Sequence, residues 1–218
     1  MSPMAKFHGM ITTFAIGTTY WLLLHVSKFI PPGDSLPPWK KAIAVYVASA
    51  GIYSLSATVL RWALDRWRLA RQVFLEAGYL EGTWIGCYTL KTGEKLYTVE
   101  HFEQTLDRLT ITGQSSTATE SRPRYTWTSK SSDIDVEHGA LTYAYSCTDT
   151  AVVPSVTFDG IANFKFTRPN SMTPPLKIHG HSGDLIDMIL YPNNEMLLSR
   201  EQVDFVEAWK EAVLKTTC

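Results

Sequence analysis

The residues with the clearest claim to chemistry are a histidine pair, His179-Gly180-His181. Alternate side chains of a strand share a face, so both imidazoles could reach one metal ion, with Asp184 or Asp187 as a third ligand. The opposite face carries Leu176, Ile178 and Gly180, the set expected inside, and this turns the histidines outward. No metal is therefore expected. His101, beside Glu100 and near Glu103, is a weaker cluster of the same kind. No Ser-His-Asp order, P-loop or dinucleotide-fold glycine pattern occurs. The chain is expected to be no enzyme, with no catalytic residue and no cofactor.

The alternation of residues points to binding instead. One face of 80–90 carries Gly82, Trp84, Gly86 and Tyr88, and one face of 140–147 carries Leu141, Tyr143, Tyr145 and Cys147. One face of 157–167 carries Phe158, Gly160, Ala162, Phe164 and Phe166. Phe102 shares a face with Gln104, and Tyr125 with Trp127. These inward sets are aromatic with polar handles, namely Tyr88, Gln104, Ser115, Tyr143, Tyr145 and Arg200. Such an interior can stack flat rings and hydrogen-bond their edges, and equally it can be a plain aromatic core with satisfied hydroxyls.

The elements that must position these residues are short strands. They are expected at 80–90, 96–105, 107–116, 123–130, 140–147, 157–167, 175–182, 186–191 and 195–200. Turn signals at Thr92-Gly93, Glu137-His138-Gly139, Arg168-Pro169-Asn170 and Pro192-Asn193-Asn194 separate most of them. Eight or nine antiparallel strands in about 120 residues predict a small closed barrel or a sandwich. From Glu201 to Lys215, Val203, Val206, Trp209 and Val213 repeat at helical spacing. This tail predicts a helix covering a mouth or flank of the barrel, or one that binds a partner.

Two apolar runs precede the strands, Gly9–Ile30 and Ala42–Leu60. At 1.5 Å per residue the first reaches about 33 Å, the thickness of a hydrocarbon core. A link containing Pro31, Pro32, Pro37 and Pro38 joins them, and Trp39, Lys40 and Lys41 suit an interface. The second run is followed by Arg61, Arg66, Arg68 and Arg71 against Asp65 alone. That basic flank predicts a cytoplasmic side for both termini. The division is thus a transmembrane hairpin over 1–73 and a cytoplasmic barrel over 74–218. Ala44 and Ala48, Ala50 and Ser54, and Ser54 and Thr58 stand four apart, a spacing that lets helices approach closely in lipid. They serve either a contact between copies or the packing of the two spans.

The formal net charge of −1 argues against DNA or RNA as a partner but leaves room for a small anion. Three scattered cysteines, Cys87, Cys147 and Cys218, draw no even set of bridges and suit a reducing compartment.

Three segments together resemble a known family. The run Leu80-Glu81-Gly82-Thr83-Trp84-Ile85-Gly86-Cys87-Tyr88 is similar to its first strand. Leu141-Thr142-Tyr143-Ala144-Tyr145, followed by Phe158-Asp159-Gly160-Ile161-Ala162, and the two-helix leader complete the likeness. The chain resembles the membrane-anchored β-barrel effectors of bacterial cyclic-oligonucleotide antiphage systems (CBASS). The resemblance implies two membrane helices and an eight-stranded barrel that senses a cyclic dinucleotide made by a partner nucleotidyltransferase. It also implies assembly into a homo-oligomer, disruption of the inner membrane and death of the infected cell. For such a ligand Trp84, Tyr88, Tyr143 and Tyr145 offer ring contacts, Gln104 a polar handle, and Arg200 or Arg108 a grip on phosphate. Arg168 is a further choice near a strand end. The alternative is a membrane-tethered, lipocalin-like carrier or chaperone of an apolar ligand, whose lumen would hold no converging cations.

Overall fold

The computed structural model describes residues 3–26, 37–90, 92–119, 122–166, 173–186, 189–192 and 195–201, with 208, 212, 215 and 216. They fall into two compact units, Met1–Arg71 and Gln72–Cys218.

The first unit is helical. Helix α1 spans Pro3–Val26 and α2 spans Pro38–Arg66. Pro38 stands in the first turn of α2, where its missing N–H leaves no bond unmade. Trp67, extended at φ −112° and ψ 109°, breaks the helix before α3 (Arg68–Leu75). Among the described residues one helix, Ala42–Arg66, is long and apolar enough to cross a membrane. It runs past Leu60, the expected end, because Arg61–Arg66 continue the helix. The first expected span is helical as far as Val26, and 27–30 lie outside the described residues. His8 Nδ1 and Tyr53 Oη, 2.7 Å apart, tie α1 to α2. Thr13 and Thr58 each donate to the carbonyl four residues back, at 2.9 Å, which hides the hydroxyls that dilute these apolar runs. Ala44, Ala48, Ala50, Ser54 and Thr58 are exposed, so they are not what α2 packs on α1.

The second unit is a closed barrel. Strands β1 (Gly82–Thr89), β2 (Lys95–Gln104), β3 (Leu109–Ser116), β4 (Tyr125–Asp135), β5 (Ala140–Asp149) and β6 (Val156–Phe166) pair in chain order. β6 pairs with β7 (Lys177–Ile186), β7 with β9 (Met196–Glu201), and β9 returns to β1. Every pairing is antiparallel, and this ring of eight staves has no open edge. β8 (Ile189–Pro192) lies on the same edge of β7 as β9, in a register that differs by one residue. The expected strands at 175–182 and 186–191 are therefore the long β7 and the first part of its return.

β4 runs five residues beyond its expected end at 130. Its serines do the work of a ladder there. The β3–β4 pairing covers only Thr112–Ser115, and beyond it Ile111 N–H donates to Ser129 Oγ at 2.8 Å while Ser132 Oγ donates to Leu109 O. A bulge between Ser129 and Ser131 turns Lys130 outward to Asp159, 2.6 Å away.

The inward faces are those expected from alternation. Trp84, Phe102, Ile111, Leu141, Phe164, Ile178 and Leu198 form a fully buried core. Leu176 is the exception. It lies one residue before β7 and is 70% exposed, while Ile178 and Gly180 point inward. The tail from 202 to 214 lies mostly outside the described residues. Ala208, Ala212 and Lys215 are helical, and the two alanines are buried with Ile85 and Val99 on the outer face of β1 and β2. This is a flank, one of the positions expected for the tail helix.

Cys87 is disulfide-bonded and Cys147 is a free, buried thiol. The odd, scattered cysteines did not predict a bridge, because spacing along the chain carries no information on distance in the fold.

Candidate functional site

The segment before β1 closes one end of the barrel. Leu80 and Tyr79 are buried beneath the staves. Gln104 holds them: its Nε2 donates to Gly78 O at 2.8 Å and its Oε1 accepts from Leu80 N–H at 2.7 Å. Trp84 Nε1 donates to Leu80 O at 2.9 Å. The Arg200 guanidinium lies over the Tyr79 ring at 4.9 Å and the Trp84 ring at 5.6 Å, and donates to Tyr79 O and Glu81 O. Arg108 is exposed in the β2–β3 turn at this same end. Four of the seven residues expected to bind ligand, Trp84, Gln104, Arg108 and Arg200, thus gather at the closed end. Arg168 lies outside the described residues.

The other three meet in a cavity of about 240 Å³ that opens toward the opposite end. Tyr88, Tyr143 and Tyr145 line it with Tyr125, Trp127 and Phe158. Two glycines make room for these rings. A Cβ on Gly113 would stand 2.1 Å from Trp127 Cε2, and one on Gly160 would stand 2.2 Å from Tyr145 Cζ. Glycine lets each ring lie across its neighbouring strand.

Glu100 forms the floor. Alternation along β2 places it inside with Thr98 and Phe102, flanked by Trp84 across β1 and Gly113 across β3. Tyr143 Oη donates to Glu100 Oε2 at 3.0 Å, and Oε1 has no partner. Burial pushes the carboxyl up to about 8, against a lesser downward pull from the Tyr143 hydrogen bond. At neutral pH it is mostly the uncharged acid. Nearer the mouth Tyr145 Oη donates to Asp184 Oδ1 at 2.6 Å, and Tyr88 Oη pairs with Ser115 Oγ at 3.3 Å. Burial, and then neighbouring Glu100 or Asp184, holds the phenols of Tyr143 and Tyr145 far above the usual tyrosine range. Burial also pushes the Cys147 thiol up to about 12, so this wall residue is a thiol and not a thiolate.

Lysine and arginine are absent from the described lining, whose acidic members are Glu100, Asp149 and Asp184. Cations stand outside it, in the connection before β4. Arg124 lies over the Tyr125 ring at 5.3 Å and pairs with Glu94 at 3.0 Å, and Arg122 is exposed two residues earlier.

Sequence reasoning missed Glu100, which read as a neighbour of His101. Its signal was its parity with Phe102 and Gln104. The histidine pair is exposed on the outer face of β7. Among the described residues no group of three or more His, Cys, Asp or Glu side chains could hold a metal ion.

No protein-family model and no curated protein matches this chain. Among solved structures it is similar to a redesigned β-barrel, mFAP1, bound to DFHBI, at TM-score 0.40 and 17% identity over 57% of this chain and 98% of that one. A second redesigned β-barrel gives TM-score 0.40 and 15% identity over 58% of this chain and 96% of that one.

Proposed function

We propose that this protein is a membrane-tethered sensor whose barrel takes a cyclic dinucleotide and whose helices answer it. The reading makes it an antiphage-defence effector of the inner membrane, with a cytoplasmic barrel and two spans. Ligand made by a partner nucleotidyltransferase drives assembly of copies, and the membrane is disrupted.

The observation that carries this reading is a preformed, aromatic-walled cavity in a barrel that follows a helix long enough to cross a membrane. At about 240 Å³ the cavity is smaller than the about 300–1,000 Å³ of whole-ligand pockets. One base therefore enters, stacked among Tyr88, Tyr125 and Trp127. The phosphates stay outside, where Arg122 and Arg124 offer charge-assisted hydrogen bonds. The exposed stripe of Ala44, Ala48, Ala50, Ser54 and Thr58 suits close approach of helices from neighbouring copies. Assembly of barrels would raise the effective concentration of those helices.

The test is calorimetric titration of the full chain in lipid nanodiscs with a panel of cyclic dinucleotides, followed by crosslinking. The reading expects one saturating dinucleotide and larger crosslinked species with it. Binding without any change of oligomeric state would contradict the assembly step.

A second reading, the tethered carrier of an apolar ligand, is favoured by the described lining, which holds no lysine or arginine, and by the Cys87 disulfide, a bond that persists on oxidising sides of membranes. It expects saturation by a fatty acid and by no dinucleotide.

A further inference from the structure

Glu100 Oε1 is a fully buried polar atom without a hydrogen-bond partner, and Glu100 lines a cavity that enters the barrel interior. An orphan of this kind is costly in a folded protein and calls for a physical reason. Three other polar handles on the described cavity wall are turned to protein groups. Tyr88 meets Ser115, Tyr145 meets Asp184, and Tyr143 meets the second oxygen of Glu100 itself. The Tyr143 bond fixes the plane of the carboxyl and leaves Oε1 without a protein partner.

We propose that Glu100 is the recognition group of this cavity, donating a hydrogen bond from Oε1 to an acceptor atom on the edge of a nucleobase held between the aromatic walls. This rests on the reading of the cavity as a nucleobase pocket. Tyr143 donates to Oε2, so Oε2 acts as the carbonyl oxygen and Oε1 carries the acid proton. The acceptor on the ligand is a ring nitrogen or a ring carbonyl. The Trp127 indole N–H already donates to the Tyr143 hydroxyl, so what the floor offers a ligand is the Oε1 donor. Flat heterocycles with an acceptor on one edge fit it, and an alkyl chain leaves the orphan unsatisfied.

Recognition then depends on the proton. The groups around the cavity are Tyr88 of β1, Tyr125 of β4, Tyr143, Tyr145, Cys147 and Asp149 of β5, and Asp184 of β7. Burial holds the phenols of Tyr88, Tyr143 and Tyr145 and the thiol of Cys147 protonated well above neutrality. Glu100, pushed up to about 8, loses its proton between pH 7 and 9, and the donor becomes a second acceptor.

The experiment measures Kd by calorimetry for adenine-, guanine- and uracil-containing cyclic dinucleotides with the full chain in nanodiscs, at pH 6.5 and pH 9. Wild type, Glu100→Gln and Glu100→Leu are compared, each checked for folding by its thermal transition. Wild type should weaken about tenfold at pH 9, since about nine-tenths of a group titrating near 8 is then ionised. Glu100→Gln keeps an N–H donor that does not titrate. It should bind within about threefold of wild type at pH 6.5 and lose the pH dependence. Glu100→Leu should bind at least tenfold more weakly at both values. Equal affinity of wild type and Glu100→Leu for a bound dinucleotide would overturn this inference and leave the sensor reading standing. So would the same pH profile in wild type and Glu100→Gln. Failure of every dinucleotide to bind folded wild type would overturn both.

Discussion

Replacing Glu100 by glutamine should stabilise the protein, and by an amount that grows with pH. The carboxyl is fully buried and is pushed from 4.5 up to about 8 by the loss of solvation. One pKa unit corresponds to about 1.4 kcal/mol. The sign follows from proton counting. Between the two values the unfolded chain has released the proton and the folded chain retains it, so stability falls as pH rises from about 4.5 to about 8 and then levels off. The penalty is about 1 kcal/mol at pH 5, about 3 kcal/mol at pH 7 and near 5 kcal/mol above pH 8.5. Glutamine has nearly the same shape, keeps an acceptor for the Tyr143 hydroxyl and carries no charge to desolvate. Equilibrium urea unfolding of the full chain in detergent, followed by tryptophan fluorescence, reads the difference between variant and wild type. That difference cancels the other titrating groups. It should widen by about 2 kcal/mol from pH 5 to pH 7 and by a further 1–2 kcal/mol by pH 8.5. A difference that stays constant across this range would refute the account of a desolvated acid at the cavity floor.

Three further outcomes follow from the same geometry. Gln104→Ala strips partners from Leu80 N–H and Gly78 O at the closed end, and should cost about 2–4 kcal/mol, lowering Tm by roughly 5–15 °C without changing ligand affinity. Gly113→Ala drives a methyl group into the Trp127 ring, so it should destabilise by about 1–3 kcal/mol and shift the tryptophan emission spectrum. Arg124→Ala should weaken cyclic dinucleotide binding about tenfold and flatten its salt dependence, since the lost contact is a charge-assisted one at the mouth; unchanged affinity would remove the phosphates from that position.

The barrel was legible from the sequence because a closed sheet with a buried lumen writes itself as a period of two. Trp84 and Tyr88, Tyr143 and Tyr145, and Phe164 and Phe166 all point where alternation put them. What alternation cannot give is depth along the barrel axis. Trp84 and Tyr88 share a face, yet one lies against the closed end and the other walls the cavity. The same blindness drew Arg200 and Gln104 into the expected site, when both hold the segment that closes the barrel. β4 extends past its expected end because Ser129 and Ser132 look like a loop until β3 supplies the backbone groups that their hydroxyls meet. Glu100 was overlooked because a carboxylate on a strand reads as a solvent-facing residue, and only the packing around it makes it an acid worth burying. The disulfide at Cys87 depends on a distance across the fold that no spacing encodes.

The central claim is that the aromatic cavity takes a base of a cyclic dinucleotide. Titration of the full chain in nanodiscs with the dinucleotide panel and with oleate in parallel tests it most directly. The account predicts one-site saturation by a dinucleotide that Trp127→Ala weakens at least tenfold, with oleate silent. Saturation by oleate while every dinucleotide leaves the folded protein unchanged would contradict it.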